Sequence, residues 1–175
     1  MIILIIIVVI IAIPLIGALF VSKELSAVRE ITINKPKEEV YNYLLLLKNH
    51  NKFSKWAVLD PNMETEFRGT DGTVGFVSTW NSTNKDVGKG EQEIIKIAPG
   101  ERIDYELRFL KPFKSTNYAF ISTETLTSSQ TIVKWGFNGQ MTYPFNFMRL
   151  FMNINDKIGN DFSIGLNNLK GILEK

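Results

Sequence analysis

The hydrophobic pattern changes abruptly after the first twenty-one residues of this 175-residue chain. Residues 1–21 contain no charged and no strongly polar side chain, and every charged side chain of the protein follows them. As an α-helix this run would be roughly 30 Å long at about 1.5 Å per residue, which matches the hydrocarbon core of a bilayer. The pattern therefore predicts a transmembrane anchor helix over residues 1–22, followed by a short linker over residues 23–26.

Two other interpretations of the apolar run are weaker. A cleaved signal peptide is disfavoured because the run lacks a basic leading region and a small-residue cleavage site. A buried core helix is disfavoured because the run is apolar on every face. Lys23 and Arg29 follow the run, and this distribution of basic residues favours a single-pass membrane protein whose folded domain is cytoplasmic.

The segments directly after the run show first an extended and then a helical pattern. Residues 26–34 alternate between polar and apolar side chains, which predicts a strand. A proline-started amphipathic helix is predicted to follow over residues 36–47. Aromatic residues within 53–56 indicate a short second helix.

From residue 63 onward the hydrophobic period becomes two, as in β-strands. Turn signals separate six candidate strands, which are 63–68, 74–80, 89–97, 102–109, 118–125 and 130–138. The short turns between consecutive strands predict an antiparallel meander. Tyr105 and Leu107 alternate with Glu106 and Arg108, so one face of the sheet should be covered and the other exposed to water.

The covering element is predicted at the C-terminal end of the chain. Apolar side chains recur there at steps of three and four residues, as in an amphipathic helix: Phe147, Phe151, Ile154, Ile158, Phe162, Leu166, Leu169 and Leu173. One continuous helix over this stretch would be roughly 40 Å long. Gly165 falls on the same stripe although glycine costs about 1 kcal/mol in a helix interior. We therefore expect it to provide space for a close strand or a bound molecule.

Composition excludes several classes of protein and site. Twenty basic and eighteen acidic residues give a net charge of +2, which argues against a nucleic-acid partner. The absence of cysteine and the single histidine, His50, argue against disulfides, thiolate chemistry and a metal cluster, and no cofactor is expected. His50 lies in a polar break between two predicted helices and is expected at the surface. Glu91 and Glu93 are the only carboxylates that we consider as buried acids, because they share a strand phase with Ile95 and Ile97.

Several motifs, taken in order, resemble the SRPBCC or START-like superfamily, which includes polyketide cyclase/dehydrase and lipid-transport proteins. The matching segments are the first strand and helix start at 29–36, the aromatic helix at 53–56, the glycine-rich hairpin at 69–75, and the last strand and helix at 131–135 and 161–170. Residues 57–59 depart from the pattern, because many members have a second tryptophan there. The resemblance covers residues 27–175. It implies an α+β helix-grip fold of the START and Bet v 1 type, in which a curved antiparallel sheet of about seven strands wraps around a long C-terminal helix.

This fold implies an apolar cavity between the sheet and the helix. The candidate ligand-binding residues are those expected to face it: Phe76, Ser78, Trp80, Tyr105, Leu107, Phe120, Trp135, Phe137, Phe151, Ile158 and Phe162. Ligand pockets are mostly apolar with a few polar groups, which Ser78, Trp80 and Tyr105 would supply. The alternative for each aromatic residue is packing in the core. No catalytic residue is assigned.

The pattern and the resemblance together give three hypotheses for function. The first is a membrane-anchored domain that binds a hydrophobic small molecule, lipid-like or polyketide-like, without transforming it. The second is a cyclase or hydratase acting on a polyketide-like substrate, which needs an ionisable group such as Glu91 or Glu93 in the cavity. The third is a protein-interaction module, which a large exposed apolar patch outside the cavity would favour. The expected partners are the ligand and, through the anchor, a membrane.

Overall fold

A computed structural model describes the backbone of residues 1–175 and the side chains of residues 1–3 and 6–175. The α-helices are α1 (Ile2–Phe20), α2 (Lys37–Leu45), α3 (His50–Phe53), α4 (Lys55–Leu59) and α5 (Ile154–Leu173). The strands are β1 (Glu24–Ile33), β2 (Glu64–Arg68), β3 (Val77–Asn81), β4 (Lys89–Ala98), β5 (Arg102–Lys111), β6 (Ser115–Thr127) and β7 (Gln130–Gln140). Short 3₁₀ segments cover Leu47–Asn49 and Phe145–Leu150. β1 thus begins within the stretch 23–26 that the sequence predicts as a linker.

The strands form an antiparallel sheet in the order β1-β7-β6-β5-β4-β3-β2. From β2 to β7 each strand pairs with its neighbour in sequence, as the short turns between them require. β1 pairs with β7, with Glu24 opposite Gln140 at one end and Ile33 opposite Thr131 at the other. The predicted α+β class and the seven-stranded antiparallel sheet are confirmed.

The C-terminal helix begins later than the hydrophobic pattern predicts. α5 starts at Ile154, where the Asn153 side chain accepts a backbone hydrogen bond of 3.2 Å in the first turn and caps the helix. Phe147 and Phe151 therefore lie outside α5, in or directly after the 3₁₀ segment Phe145–Leu150. The 20 residues of α5 span about 30 Å, so the predicted single helix of roughly 40 Å is too long.

The hydrophobic core lies between α2, α5 and one face of the sheet. α2 contributes Val40 and Leu44, and the strands contribute inward residues such as Ile94, Ile103 and Ile121. α5 packs against β1 and covers the core with its apolar side. The sheet therefore has one covered face, as the alternation within its strands predicts.

The structure contradicts the predicted membrane localisation. Among the residues whose side chains the structure describes, no helix is both long enough and apolar enough to cross a membrane. The prediction of a single-pass membrane protein, with an N-terminal transmembrane helix and a cytoplasmic domain, is wrong by this finding. The predicted anchor over residues 1–22 includes residues 4 and 5, whose side chains lie outside the described part of the chain.

The C-terminal turns of α1 form hydrogen bonds with the segment that precedes α5. Hydropathy alone does not predict this contact. Nδ2 of the buried Asn146 donates hydrogen bonds to the carbonyls of Ala18 and Val21, both at 2.7 Å. The Tyr143 hydroxyl donates to the carbonyl of Leu15 at 3.0 Å. The bond to Ala18 satisfies a carbonyl of the last turn, which has no intrahelical partner, and the bond to Val21 satisfies the C-cap residue. Ala18 is 1% exposed, whereas most of the described apolar side chains before it in α1 are exposed.

We expect Asn146→Ala to release the end of α1 from the folded domain. The change leaves the buried carbonyl of Ala18 and the partly buried carbonyl of Val21 without this donor, which costs about 1–3 kcal/mol. Amide hydrogen exchange in the last turns of α1 should therefore become faster. The matched control is Asn160→Ala, at an exposed position of α5, which should leave that exchange unchanged. Equal protection in the two variants would show that the Asn146 amide does not hold the helix end.

Candidate functional site

A cavity of about 260 Å³ lies between the inner face of the sheet and the helices α3, α4 and α5. Its volume is close to the lower end of the range for small-molecule pockets, about 300 Å³. The lining is mainly apolar and aromatic with a few polar groups, and consists of His50, Asn51, Ser54, Trp56, Ala57, Met63, Ser78, Trp80, Asp86, Val87, Gln92, Leu107, Phe109, Ala119, Trp135, Phe137, Ile158 and Phe162.

Most of the predicted ligand-binding residues line this cavity. They are Ser78, Trp80, Leu107, Trp135, Phe137, Ile158 and Phe162. They belong to β3, β5, β7 and α5, whose inward positions follow from the period-two and helical patterns. The structure brings these side chains together, and their contact with a ligand stays a prediction.

Phe120 lies on the opposite face of the sheet, in contrast to its predicted position. The inward residues of β6 are Ala119 and Ile121, so the residue between them points outward. The ring of Phe120 covers Gly136 on the neighbouring strand, and its centroid lies 3.8 Å from Cζ of Arg102, a cation–π distance. Phe120 therefore packs with a charged side chain away from the cavity.

Three further predicted residues also lie outside the cavity lining. Phe151 follows a 3₁₀ segment and is not part of α5, and its side chain is 75% exposed. Phe76 is buried in the core and stacks with Phe67, with ring centroids 6.0 Å apart. Tyr105 is also buried in the core, where its hydroxyl lies 3.3 Å from Nε2 of His50.

Trp135 is at the centre of the aromatic wall formed by β7 and the helices. Its ring stacks on Phe162 with centroids 4.5 Å apart, and meets Trp56 and Phe53 edge-on at 6.4 and 5.6 Å. A Cβ atom at Gly165 would lie 2.7 Å from the Trp135 ring. The glycine on the apolar stripe of α5 thus provides the space for this ring, which is the close packing that the sequence predicts there.

His50 is buried, in contrast to its expected position at the surface. It is 4% exposed, and its ring lies close to those of Phe53, Tyr105 and Trp135. Burial lowers the pKa of His50 to about 4, and a backbone hydrogen bond at Leu44 opposes this effect more weakly. The side chain is therefore neutral at neutral pH. The sequence signal for its burial is Phe53, one helical turn later on the same face.

Glu91 and Glu93 lie on the outer face of the sheet, so the prediction of a buried acid at these positions is wrong. A register shift after Ile94 interrupts the alternation of β4, so that Ile97 packs against the core while both glutamates face outward. Arg108 of β5 binds both carboxylates, at 2.6 Å from Glu91 and 2.7 Å from Glu93. Neither carboxylate is available to act in the cavity.

The short helices and the loop after β3 contribute most of the lining residues that the sequence pattern does not predict. They are His50, Asn51, Ser54, Trp56, Ala57, Met63, Asp86, Val87, Gln92 and Ala119, whereas Phe109 shares the strand phase of Tyr105 and Leu107 and is predicted to face the same side. Lys55 and Asp161 form an ion pair that joins α4 to α5. Because the flanking residues Ser54 and Phe162 line the cavity, this pair holds together two helices that cover it.

Two polar side chains lie on the inner face among apolar walls. Ser78 and Gln92 are directly opposite each other across β3 and β4, and both line the cavity. Nε1 of Trp80 donates to the carbonyl of Val87 at 3.3 Å, so this donor is already used. Within the described residues, no group of three or more metal-ligating side chains could hold a metal ion. The apolar walls of the cavity are therefore suited to enclosing an apolar molecule, and Ser78 and Gln92 can form hydrogen bonds with one polar group of that molecule.

The chain is similar in structure to several solved proteins, although its sequence matches no protein family. No protein-family profile matches the chain, and no curated protein matches it significantly. A protein from Chromobacterium violaceum aligns with a TM-score of 0.60 and 15% identity, over 86% of this chain and 97% of its own. A protein from Mesorhizobium loti aligns with a TM-score of 0.61 and 14% identity, over 85% of this chain and 96% of its own. Ara h 8.0201 aligns with a TM-score of 0.55 and 12% identity, over 86% of this chain and 97% of its own. These likenesses show that the chain has the α+β helix-grip fold.

Proposed function

We propose that this protein binds a hydrophobic small molecule in the cavity between the sheet and α5, and holds it without chemical transformation. The observation that supports this is the cavity itself, whose walls include Trp80, Trp135, Phe137 and Phe162. Burial of apolar surface contributes about 25 cal/mol per Å², so an apolar ligand would be stabilised by leaving water for this site. The Bet v 1-like fold is commonly that of a hydrophobic-ligand binder, which supports the same conclusion.

We further infer that the chain is a member of the SRPBCC superfamily, with a lipid-like or polyketide-like ligand. The motif resemblance and the helix-grip fold support this assignment. Binding without turnover is supported by the polar groups present. Glu91 and Glu93 are bound by Arg108 on the outer face, and the neutral His50 lies within hydrogen-bonding distance of Tyr105 in the core.

Titration of the full chain with pyrene, an uncharged fluorophore that has no hydrogen-bonding group, tests this proposal. The fluorescence of pyrene reports the polarity around it, so we expect saturable binding with an apolar signature. Ala119→Phe adds a ring to the cavity from the inner face of β6. It should weaken pyrene binding by roughly tenfold or more, equivalent to about 1.4 kcal/mol.

Ser122→Phe is the matched control, because it adds the same ring to the outer face of the same strand. It should bind pyrene like the unmodified protein, and near-UV circular dichroism checks that both variants are folded. Undiminished binding by Ala119→Phe would contradict the proposal. It would place pyrene on exposed apolar side chains outside the cavity, such as Phe113 and Phe145, and favour the protein-interaction alternative.

A further inference from the structure

Ser78 and Gln92 form a polar pair inside an otherwise apolar part of the cavity. They are cross-strand partners on the inner face of β3 and β4. Ser78 is 8% exposed and Gln92 is partly buried, so both side chains have limited contact with bulk water. Their neighbours in the lining include Trp80, Leu107 and Phe109, none of which offers an acceptor. The pair is therefore a single polar position on an apolar wall.

Neither side chain of the pair forms a hydrogen bond within the described part of the chain, although nearby polar groups do. The indole of Trp80 donates to the carbonyl of Val87, and Nε2 of His50 lies 3.3 Å from the Tyr105 hydroxyl. A serine hydroxyl and a primary amide together offer donors and acceptors. A ligand group that can both donate and accept would satisfy them, and shielded polar groups favour such a partner.

The charges around the cavity disfavour an ionised ligand. No lysine or arginine is part of its lining within the described residues. Lys55, which follows the lining residue Ser54, is bound to Asp161 and is not free to pair with a ligand. Asp86 is an exposed lining residue whose negative charge would repel an anion. A carboxylate or phosphate in the cavity would thus be desolvated without a counter-charge.

We propose that the cavity selects uncharged amphiphiles, whose hydroxyl or amide group bonds to Ser78 and Gln92 while the apolar body lies against the aromatic wall. The inference rests on the proposed function and adds the chemical class of the ligand. It separates alcohols and amides of long-chain or ring compounds, which fit the site, from fatty-acid anions and phospholipids, which do not.

Competition against bound pyrene tests this inference with three ligands of equal chain length: decanamide, decanol and decanoate. At about pH 8 the carboxyl group of decanoate is ionised, whereas the other two ligands are uncharged. We expect decanamide and decanol to displace pyrene from the full chain at roughly tenfold lower concentrations than decanoate.

The variant Ser78→Ala/Gln92→Leu separates recognition of the polar group from simple partitioning. It keeps the apolar walls, so pyrene should bind at least as tightly as to the unmodified protein. Decanamide and decanol should each lose roughly tenfold in affinity, because their hydrogen bonds are gone. The matched control is Ser122→Ala/Gln140→Leu, which makes the same changes outside the cavity and should alter none of these affinities. Ser78→Ala alone, with a smaller expected loss, serves if the double variant does not fold.

The outcomes distinguish the two proposals. Absence of pyrene binding to the unmodified protein would refute the proposed function, and this inference with it. Pyrene binding together with unchanged displacement by decanamide in Ser78→Ala/Gln92→Leu would refute only the ligand class. Equal displacement by decanoate and decanamide would refute it as well, because an ionised head group would then be accepted.

Discussion

Trp135→Ala should lower the free energy of unfolding by about 3–5 kcal/mol. Trp135 is 7% exposed, stacks on Phe162 and contacts Trp56 and Phe53. Removal of the Trp135 ring eliminates packing contacts that join β7 to α3, α4 and α5. The vacated space would also join the existing cavity, so the neighbours cannot refill it by a small movement. Urea denaturation followed by far-UV circular dichroism should show a lower midpoint at an unchanged slope.

Phe120→Ala is the matched comparison, because it removes an aromatic ring from the adjacent strand on the outer face. This ring contacts Arg102 and covers Gly136, but it is only half-buried. We expect a clearly smaller loss of stability than for Trp135→Ala. If the two variants lost equal stability, the inner aromatic wall would not be the main packing unit, and the proposed division between the two faces would be incorrect.

The sheet and most of its inner face can be predicted from the sequence because strand alternation is a local property. Successive side chains of a strand must point to opposite faces, so Trp135 and Phe137 in β7 share one side, as do Tyr105 and Leu107 in β5. The turn residues between strands determine the antiparallel order. The same local argument assigns Gly165 to a position of close contact, where the Trp135 ring lies.

Local patterns fail where tertiary structure changes the phase of an element. In β4 the register shift after Ile94 reverses the side to which residues point, so Glu91 and Ile97 do not share a face. In the C-terminal region, Phe147 and Phe151 keep a four-residue step although they precede α5. The capping signal at Asn153 marks the true start of that helix, and it outweighs the apolar step.

The position of His50 depends mainly on tertiary contacts, and Phe53 one helical turn later is the periodic signal for its burial. Its polar neighbours in sequence predict a surface, yet α3 packs on α5 and directs the ring inward. The N-terminal apolar run is a second case in which tertiary contacts matter. Its hydropathy does not predict the hydrogen bonds that Asn146 donates at the end of α1. Short helices and docked termini are therefore the parts of this fold that sequence analysis determines least.

The free energy of unfolding is expected to fall by about 3 kcal/mol between pH 6.5 and about pH 4 because of His50. Burial lowers the pKa of His50 from 6.5 to about 4 in the folded protein. Between these values the unfolded chain binds more protons, so stability rises with pH in this window. Each pH unit corresponds to about 1.4 kcal/mol per proton, which gives the stated loss. The contribution is complete above pH 6.5 and changes no further below about pH 4.

His50→Gln removes the titrating group and isolates this effect. Urea denaturation of both proteins from about pH 8 to about pH 4 gives two curves, and carboxylates common to both cancel in their difference. The unmodified protein should be the more stable one at neutral pH, and its advantage should shrink by about 3 kcal/mol on acidification. Burial of His50 among Phe53, Tyr105 and Trp135 requires that change, since these rings offer the imidazolium no counter-charge. A difference that stays constant over the window would mean that the ring is solvated in the folded state, and the aromatic wall would then be open where the structure has it closed.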